Sequence, residues 1–193
     1  MDTTPKILKE TSSGDFLSDI RDEMLKNREV ECFGPIDHDS VQSLIRQLRH
    51  LQRQDPEAEI RMYIDSPGGE ILSGLALYDV MQNLSCPIRT LCVGQAASMA
   101  AVLFSAGARR ELLPHSEVMI HDPLLSSGPG GSALQVQETA RRLLQNRERL
   151  CGILAKHTGK SLEDICQRTK QDTFFTAEEA VDFGLADGIL QTI

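Results

Sequence analysis

The feature that most constrains the fold is a regular alternation of short apolar segments with amphipathic ones between residues 29 and 121. Apolar runs of strand length occur in EVECFG, EIRMYIDS, IRTLCV and SEVMIH. A helical period follows the first run in DSVQSLIRQLRHLQRQ, and further helices are predicted from Glu70 to about Asn83 and from Ser98 onward. Strands that alternate with helices in this way indicate crossover units and a mostly parallel, buried sheet. We therefore predict an α/β fold.

The C-terminal part of the chain is predicted to be mainly helical. The longest helix is expected from about Ala133 to His157, with Gly159 as its terminator, and a second helix starts after Ser161. The segment TFFTAEEA resembles a strand passing into a helix, with Thr176 as N-cap and Glu179 three residues later. Such a long helix suggests either an interface with other subunits or a lid over the sheet.

Bulk properties exclude several classes of protein. The 193 residues carry a net charge of -8, which argues against nucleic acid as the main partner. No apolar run has the length that spans a bilayer, so we expect no membrane association. The start, MDTTPKILKETSSGDF, lacks the pattern of a signal peptide, and the 5 cysteines are odd in number without paired short spacing. We expect a single domain, residues 1–193, in the cytoplasm, with reduced thiols.

Two strand-to-helix turns carry candidate chemical groups. The turn YIDSPGGE passes through two glycines and directs free backbone N–H groups above the sheet, although it can also be a plain connection. The turn VGQAASMA places Ser98 among small residues, with the N–H of Met99 beside the place where an oxyanion would form. Ser98 is therefore either a nucleophile or a helix cap or packing residue. The local pattern does not decide between these alternatives.

His121 ends the apolar strand VMIH, where a general base beside a serine would be needed. Such a base requires a third group that orients the imidazole, usually a carboxylate. The spacing does not choose among the downstream acids, which include Asp122, Glu163, Asp164, Asp172 and Glu178. No two histidines stand at ligand spacing, and neither HExxH nor CxxC occurs, so we expect no metal.

Several blocks of the sequence together resemble the Clp protease proteolytic subunit (ClpP) family of serine peptidases. These blocks are YIDSPGGEILSGLALYDVMQ, GQAASMAA, VMIHDPL and HTGKSLEDI…DTFFTAEEAVDFGLADGIL, and the likeness runs from about Thr11 to Leu190. The resemblance implies a crotonase-like fold, with a repeated β-β-α/βαβ head and a protruding helical handle. The handle would comprise about residues 123–172, and residues 1–18 would form an N-terminal segment.

The resemblance also assigns roles to particular residues. It implies a catalytic triad of Ser98, His121 and Asp172, and it thereby selects Asp172 among the acids. It implies that the backbone N–H groups of Gly69 and Met99 form the oxyanion hole. No cofactor is implied for this chain, because ATP would be used by a partner ATPase.

The implied activity is hydrolysis of peptide bonds in unfolded polypeptides, inside a chamber formed by two stacked seven-membered rings. A Clp-type AAA+ ATPase would feed these polypeptides into the chamber. One alternative is a low-activity or regulatory subunit of a mixed ring that contains a paralogous chain. Another is an acyl-CoA-handling enzyme of the crotonase fold, a class that generally needs carboxylates where this chain has serine and histidine.

The chain departs from the family pattern at positions that bear on docking. Arg61 and Asn83 replace two aromatic residues of the pocket where the ATPase would dock, whereas Tyr63 and Leu190 are retained. Polar groups at such a surface weaken binding of an apolar loop, so we expect full activity to require a second, paralogous ring.

Further departures concern other surfaces. Ala100 stands where the family usually has glycine, and Arg168 and Gln171 replace an acidic and basic pair expected to help lock the rings. The segment HDPLLSSGPGGS lacks the usual Gly-Gly on a strand expected to pair with substrate, and the loop AGARRELLPHS is about two residues short.

Overall fold

The computed structural model describes residues 5–12, 14–125 and 130–191. Its strands are β1 (Lys6–Thr11), β2 (Gly14–Asp19), β3 (Glu29–Phe33), β4 (Ile60–Ser66), β5 (Ile88–Ala97), β6 (Arg109–Leu112), β7 (Glu117–Ile120), β8 (Thr173–Phe175) and β9 (Gly188–Ile189). Its helices are α1 (Ile20–Lys26), α2 (His38–Gln54), α3 (Ile71–Asn83), α4 (Met99–Ser105), α5 (Ala133–Thr158), α6 (Leu162–Arg168) and α7 (Ala177–Phe183). The predicted α/β class is confirmed.

The larger sheet has seven strands and is mostly parallel. Strands β3, β4, β5, β6 and β9 lie side by side in that order, and each neighbouring pair is parallel. On the side away from β4, strand β5 is long enough to pair with two successive strands: its first half pairs with β6 and its last residues pair with β7. Strand β8 then joins β7 in the antiparallel direction. The alternation of strands and helices therefore produced the parallel sheet that it predicts, with one antiparallel pair added at β7.

The core lies between this sheet and the helices that connect its strands. Helix α2 buries one face through Val41, Leu44, Leu48 and Leu51, which follow the helical period seen in the sequence. Burial of each such side chain stabilises the fold by about 1.5–3 kcal/mol. Helix α4 is buried on every residue, so the turn that starts it is held firmly against the sheet.

Helix α5 extends well beyond the part of it that contacts the core. It begins with a capping box between Ser132 and Gln135, and it ends at Gly159 in the left-handed conformation, as the sequence predicts. Its buried residues are Cys151 and Leu154, whereas Leu144 in its preceding part is 66% exposed. The first turns of α5 thus project from the sheet layer. The assignment of residues 1–193 to a single domain stays a prediction, as does a handle at about residues 123–172.

Several elements were not predicted because their sequences carry little pattern. The hairpin of β1 and β2 is largely exposed, and it occupies much of the predicted N-terminal segment 1–18, of which residues 1–4 and 13 lie outside the described ranges. Strand β6 lies inside the segment predicted as the loop AGARRELLPHS, and β9 has 2 residues. The capping box of Thr176 and Glu179 at the start of α7 is confirmed.

No helix within the described ranges is long and apolar enough to cross a membrane.

Candidate active site

The register of three strands brings the predicted site residues to one edge of the sheet. Strands β5 and β7 run parallel with Ala97 opposite Met119, and the Ser98 N–H donates a hydrogen bond of 2.8 Å to the Met119 carbonyl. Ser98 and His121 are thus placed at neighbouring carboxyl ends, the edge at which ligands gather in open parallel sheets.

The antiparallel pairing of β7 with β8 brings in the acid. Ile120 lies opposite Thr173, so the residue after Ile120 and the residue before Thr173 are adjacent across the pair. These residues are His121 and Asp172. Sequence spacing did not select Asp172, whereas this register does.

The three side chains form a continuous line of polar contacts. The Ser98 Oγ lies 2.8 Å from Nε2 of His121. On the other side of the ring, Nδ1 of His121 lies 3.2 Å from Oδ1 of Asp172. The His121 side chain is 14% exposed and the Asp172 side chain is 63% exposed, so solvent reaches the acid more easily than the imidazole. The arrangement can pass a proton from the serine hydroxyl to the imidazole while the carboxylate orients the ring.

Ser98 does not behave as a helix cap, which was the alternative interpretation of its position. It occupies the N-cap position of α4 but its side chain makes no capping hydrogen bond. Its backbone has φ 56 and ψ -120, a region that residues other than glycine rarely adopt. Such a conformation costs about 1–3 kcal/mol and persists where the surrounding structure enforces it. The turn thus directs the hydroxyl towards His121 rather than along the helix.

The loop after β4 packs directly against Ser98. A side chain on Gly68 would place its Cβ 2.8 Å from the Ser98 Cβ and 2.6 Å from the Ala97 carbonyl oxygen. The loop is fixed from its other side by Ile36, whose N–H donates to the Gly68 carbonyl and whose carbonyl accepts from the Glu70 N–H. The roles of Gly68 and Ile36 were not predicted from the sequence; the double glycine of SPGG is the sequence signal for Gly68, and Ile36 has none.

The two predicted oxyanion donors lie on either side of this close contact. Gly69 follows Gly68 in the loop with φ 153, and Met99 is the first residue of α4. Within the described part of the chain, neither the Gly69 N–H nor the Met99 N–H donates to another protein group. Both N–H groups are therefore available to a ligand above the serine.

The other candidate acids are held elsewhere. Asp122 forms an ion pair with Arg147, in which Oδ2 lies 2.6 Å from Nε. The Asp164 carboxylate accepts a hydrogen bond from the Ser161 hydroxyl, and the Asp164 backbone N–H donates to the Ser161 Oγ at the start of α6. Glu163 lies in the first turn of α6, and Glu178 lies in the first turn of α7.

A cavity of about 960 Å³ opens beside Ser98 and His121. Its walls include the apolar side chains of Ile71, Leu125 and Leu154, together with Cys151. Burial raises the pKa of the Cys151 thiol to about 11, so this thiol stays protonated, and hence a weak nucleophile, at neutral pH.

The strand predicted to pair with substrate can be followed only in part. Pro123, Leu124 and Leu125 are not in a strand, and residues 126–129 of HDPLLSSGPGGS lie outside the described ranges. Leu124 and Leu125 nevertheless line the cavity, so the start of this segment lies next to Ser98 and His121.

Within the described ranges, no group of three or more histidine, cysteine, aspartate or glutamate residues is arranged so that it could hold a metal ion.

The fold and the site together define an α/β protein with a serine, a histidine and an aspartate in line at one edge of its sheet. The serine hydroxyl is at hydrogen-bonding distance from one imidazole nitrogen, and the carboxylate lies 3.2 Å from the other, an arrangement of the kind that serine hydrolases use. The model of one protein family, described as Clp protease, matches residues 12–193 of this chain. That match covers nearly the whole sequence, and the chain belongs to the Clp protease family.

Proposed function

We propose that this protein is a serine endopeptidase of the Clp type, which hydrolyses peptide bonds of unfolded polypeptides. The single observation that carries the proposal is the line of contacts from Ser98 through His121 to Asp172, at 2.8 Å and 3.2 Å. Membership of the Clp protease family supports the peptidase class. The uncapped, strained serine supports its role as the nucleophile.

In the proposed mechanism, the Ser98 Oγ attacks the carbonyl carbon of the scissile peptide bond while Nε2 of His121 accepts the hydroxyl proton. Asp172 accepts a hydrogen bond from Nδ1 and stabilises the imidazolium that forms. The backbone N–H groups of Gly69 and Met99 donate to the oxyanion of the tetrahedral intermediate. His121 then gives its proton to the leaving amine, which leaves an acyl-enzyme on Ser98. Water activated by His121 hydrolyses this ester and regenerates the serine.

We further propose that the active site works inside an oligomeric chamber of two stacked seven-membered rings. The exposed apolar side chains of α5, among them Leu134 at 76% and Leu144 at 66% exposure, support its burial against other subunits. A Clp-type AAA+ ATPase would supply unfolded polypeptide and consume the ATP, so this chain needs no cofactor. The free cysteines support a reducing compartment, the cytoplasm.

The face expected to receive the ATPase supports a mixed assembly. Arg61 forms an ion pair of 2.8 Å with Glu29, and the hydroxyl of Tyr63 lies beside the same carboxylate. An apolar docking loop would have to desolvate this pair, which lowers the net gain from binding. We therefore propose that a paralogous ring supplies the stronger docking surface.

The test of the peptidase proposal is labelling by a fluorophosphonate together with cleavage of a fluorogenic peptide. The wild type should be labelled at one serine and should cleave the peptide, and Ser98→Ala should lose both properties. Ser73→Ala is the matched control, since Ser73 lies in α3 and donates to Glu70 instead of contacting the histidine. Labelling that persists in Ser98→Ala would overturn the assignment of the nucleophile.

A further inference from the structure

An ion pair lies directly behind the proposed catalytic histidine. Asp122 follows His121 in the chain, and its Oδ2 lies 2.6 Å from Nε of Arg147 on α5. Both side chains are partly buried, with 25% of Arg147 and 30% of Asp122 exposed. The pair therefore joins the end of β7 to the long helix.

The same two residues also hold the segment that carries Asp172. The Asp122 N–H donates a hydrogen bond of 2.6 Å to the carbonyl of Thr169, three residues before Asp172. Nη2 of Arg147 donates a hydrogen bond of 2.7 Å to the carbonyl of Cys166 in the last turn of α6. Arg147 and Asp122 thus connect the chain around His121 with the chain that leads to Asp172.

The electrostatics of the pair depend on both partners. Oδ1 of Asp122 is buried and has no hydrogen-bond partner among the described residues, so Arg147 is the cation that compensates this carboxylate. The hydrogen bond to Asp122 raises the pKa of Arg147 above its ordinary value, which keeps the guanidinium charged. Removing one partner of a buried pair leaves an uncompensated charge, whereas replacing both by neutral groups of similar shape does not. Without Arg147, the buried Oδ1 of a lone Asp122 carboxylate favours a shift of the chain next to His121 that would expose it to water.

We propose that Asp122 and Arg147 are a positioning pair for the catalytic triad, which keeps the His121 imidazole in line between Ser98 and Asp172. This proposal rests on the proposed peptidase function. Neither side chain touches the reacting atoms; the pair acts through the backbone of residues 121–122 and 166–169. Triad geometry controls the chemical step, and a displacement of about 1 Å reduces the rate on the order of 100-fold.

Four variants test the proposal: Arg147→Gln, Asp122→Asn, the double variant with both changes, and Arg141→Gln. Arg141 lies on the same helix and pairs with Glu138 at the surface, so it controls for loss of an arginine from α5. Each variant is assembled as the full chain, and its oligomeric state is compared with that of the wild type by native mass spectrometry. Peptidase kinetics are then measured well below the lowest Tm of the set.

We expect Arg147→Gln to lower kcat by about 10- to 100-fold with a much smaller change in KM, because triad geometry is disturbed while the apolar cavity walls formed by Ile71, Leu125 and Leu154 are unchanged. Asp122→Asn should have a smaller effect, since the amide oxygen still accepts from Arg147. The double variant should recover most of the kcat lost in Arg147→Gln, and Arg141→Gln should match the wild type. If the pair only stabilised the fold, the variants would lower Tm, but kcat would not fall while KM stayed nearly constant, and the double variant would not regain kcat.

The proposal is overturned if Arg147→Gln and Asp122→Asn both keep the kcat of the wild type. It is also overturned if the double variant is folded and assembled but no more active than Arg147→Gln. Should Arg147→Gln fail to fold, Asp122→Asn decides the matter: a lowered kcat supports the proposal, and a kcat equal to that of the wild type overturns it. Failure of the peptidase function itself is separate, because then the wild type would show neither peptide cleavage nor fluorophosphonate labelling.

Discussion

Asp172 lies opposite His121 across the antiparallel pair of β7 and β8, with its Oδ1 3.2 Å from Nδ1 of the imidazole. The contact depends on the pairing of a 4-residue strand with a 3-residue strand. It depends also on the Asp122 N–H, which donates to the Thr169 carbonyl shortly before Asp172. The register of β7 with β8 thus determines the orientation of the His121 imidazole, the proposed general base.

The first prediction concerns the acid of the triad. Asp172→Asn should lower kcat by about 10²- to 10⁴-fold, because the amide no longer selects the imidazole tautomer or stabilises the imidazolium. Its effect in combination with Ser98→Ala should be far from additive, since the residues act as a unit. Asp164→Asn is the control, because Asp164 contacts Ser161 at the start of α6. Peptidase kinetics would refute the assignment if Asp164→Asn, and not Asp172→Asn, were impaired.

The second prediction concerns the glycine that packs against the serine. Gly68→Ala should reduce kcat/KM by about 100-fold or more and lower Tm, because its Cβ would lie 2.6 Å from the Ala97 carbonyl oxygen at a φ of 90. Gly152→Ala is the matched control: this glycine is exposed within α5 and has open space around its Cα. That change should raise stability by about 0.5–1 kcal/mol. Equal behaviour of the two variants in thermal unfolding and peptide cleavage would contradict the prediction.

The third prediction concerns the pH dependence of stability. Burial lowers the pKa of His157, whose Nε2 lies 3.1 Å from the Tyr78 hydroxyl. The unfolded chain then binds more protons than the folded one, so the stabilising contribution is present above the ordinary histidine pKa of about 6.5 and is lost as pH falls through the lowered value.

The measurement for His157 is Tm at several pH values. Between about pH 7.5 and about pH 5.5, the fall in Tm should be smaller for His157→Gln than for the wild type. His50→Gln, at an exposed position on α2, should follow the wild type. A His157→Gln curve parallel to that of the wild type would show that His157 does not contribute to the pH dependence.

The fourth prediction concerns docking of the ATPase. Arg61→Tyr combined with Asn83→Phe should strengthen binding of a Clp ATPase to rings of this chain by about tenfold or more, because less polar surface is desolvated on docking. Exposed Arg53 on α2 provides a control variant, Arg53→Gln, which should leave binding unchanged. Binding would be measured by titration, and degradation of an unfolded protein would be followed in parallel. Tight binding by the unmodified chain alone would argue against the need for a paralogous ring.

Local sequence patterns were sufficient where the physics is local. The helical period of α2, the capping box of Thr176 with Glu179 and the left-handed Gly159 all depend on residues within a few positions of each other. The alternation of strands and helices also predicted the parallel sheet, because a helix between two strands returns the chain to the same end of the sheet. The same pattern placed Ser98 near the end of one strand and His121 near the end of another. Short strands such as β6 and β9 lack a pattern of this kind and were missed.

Tertiary structure decided which groups meet. The residues alone left several acids open as partners of His121. The register of β7 with β8 brought Asp172 to the ring, whereas Arg147 of α5 paired with Asp122. The positive φ of Ser98 likewise requires the close approach of Gly68 and the fixed end of β5, neither of which spacing reveals. The sequence alone determined the elements and the residues at their ends, because those depend on local periods and caps. Contacts between elements depend on strand register and packing across the fold, and only the assembled structure fixes these.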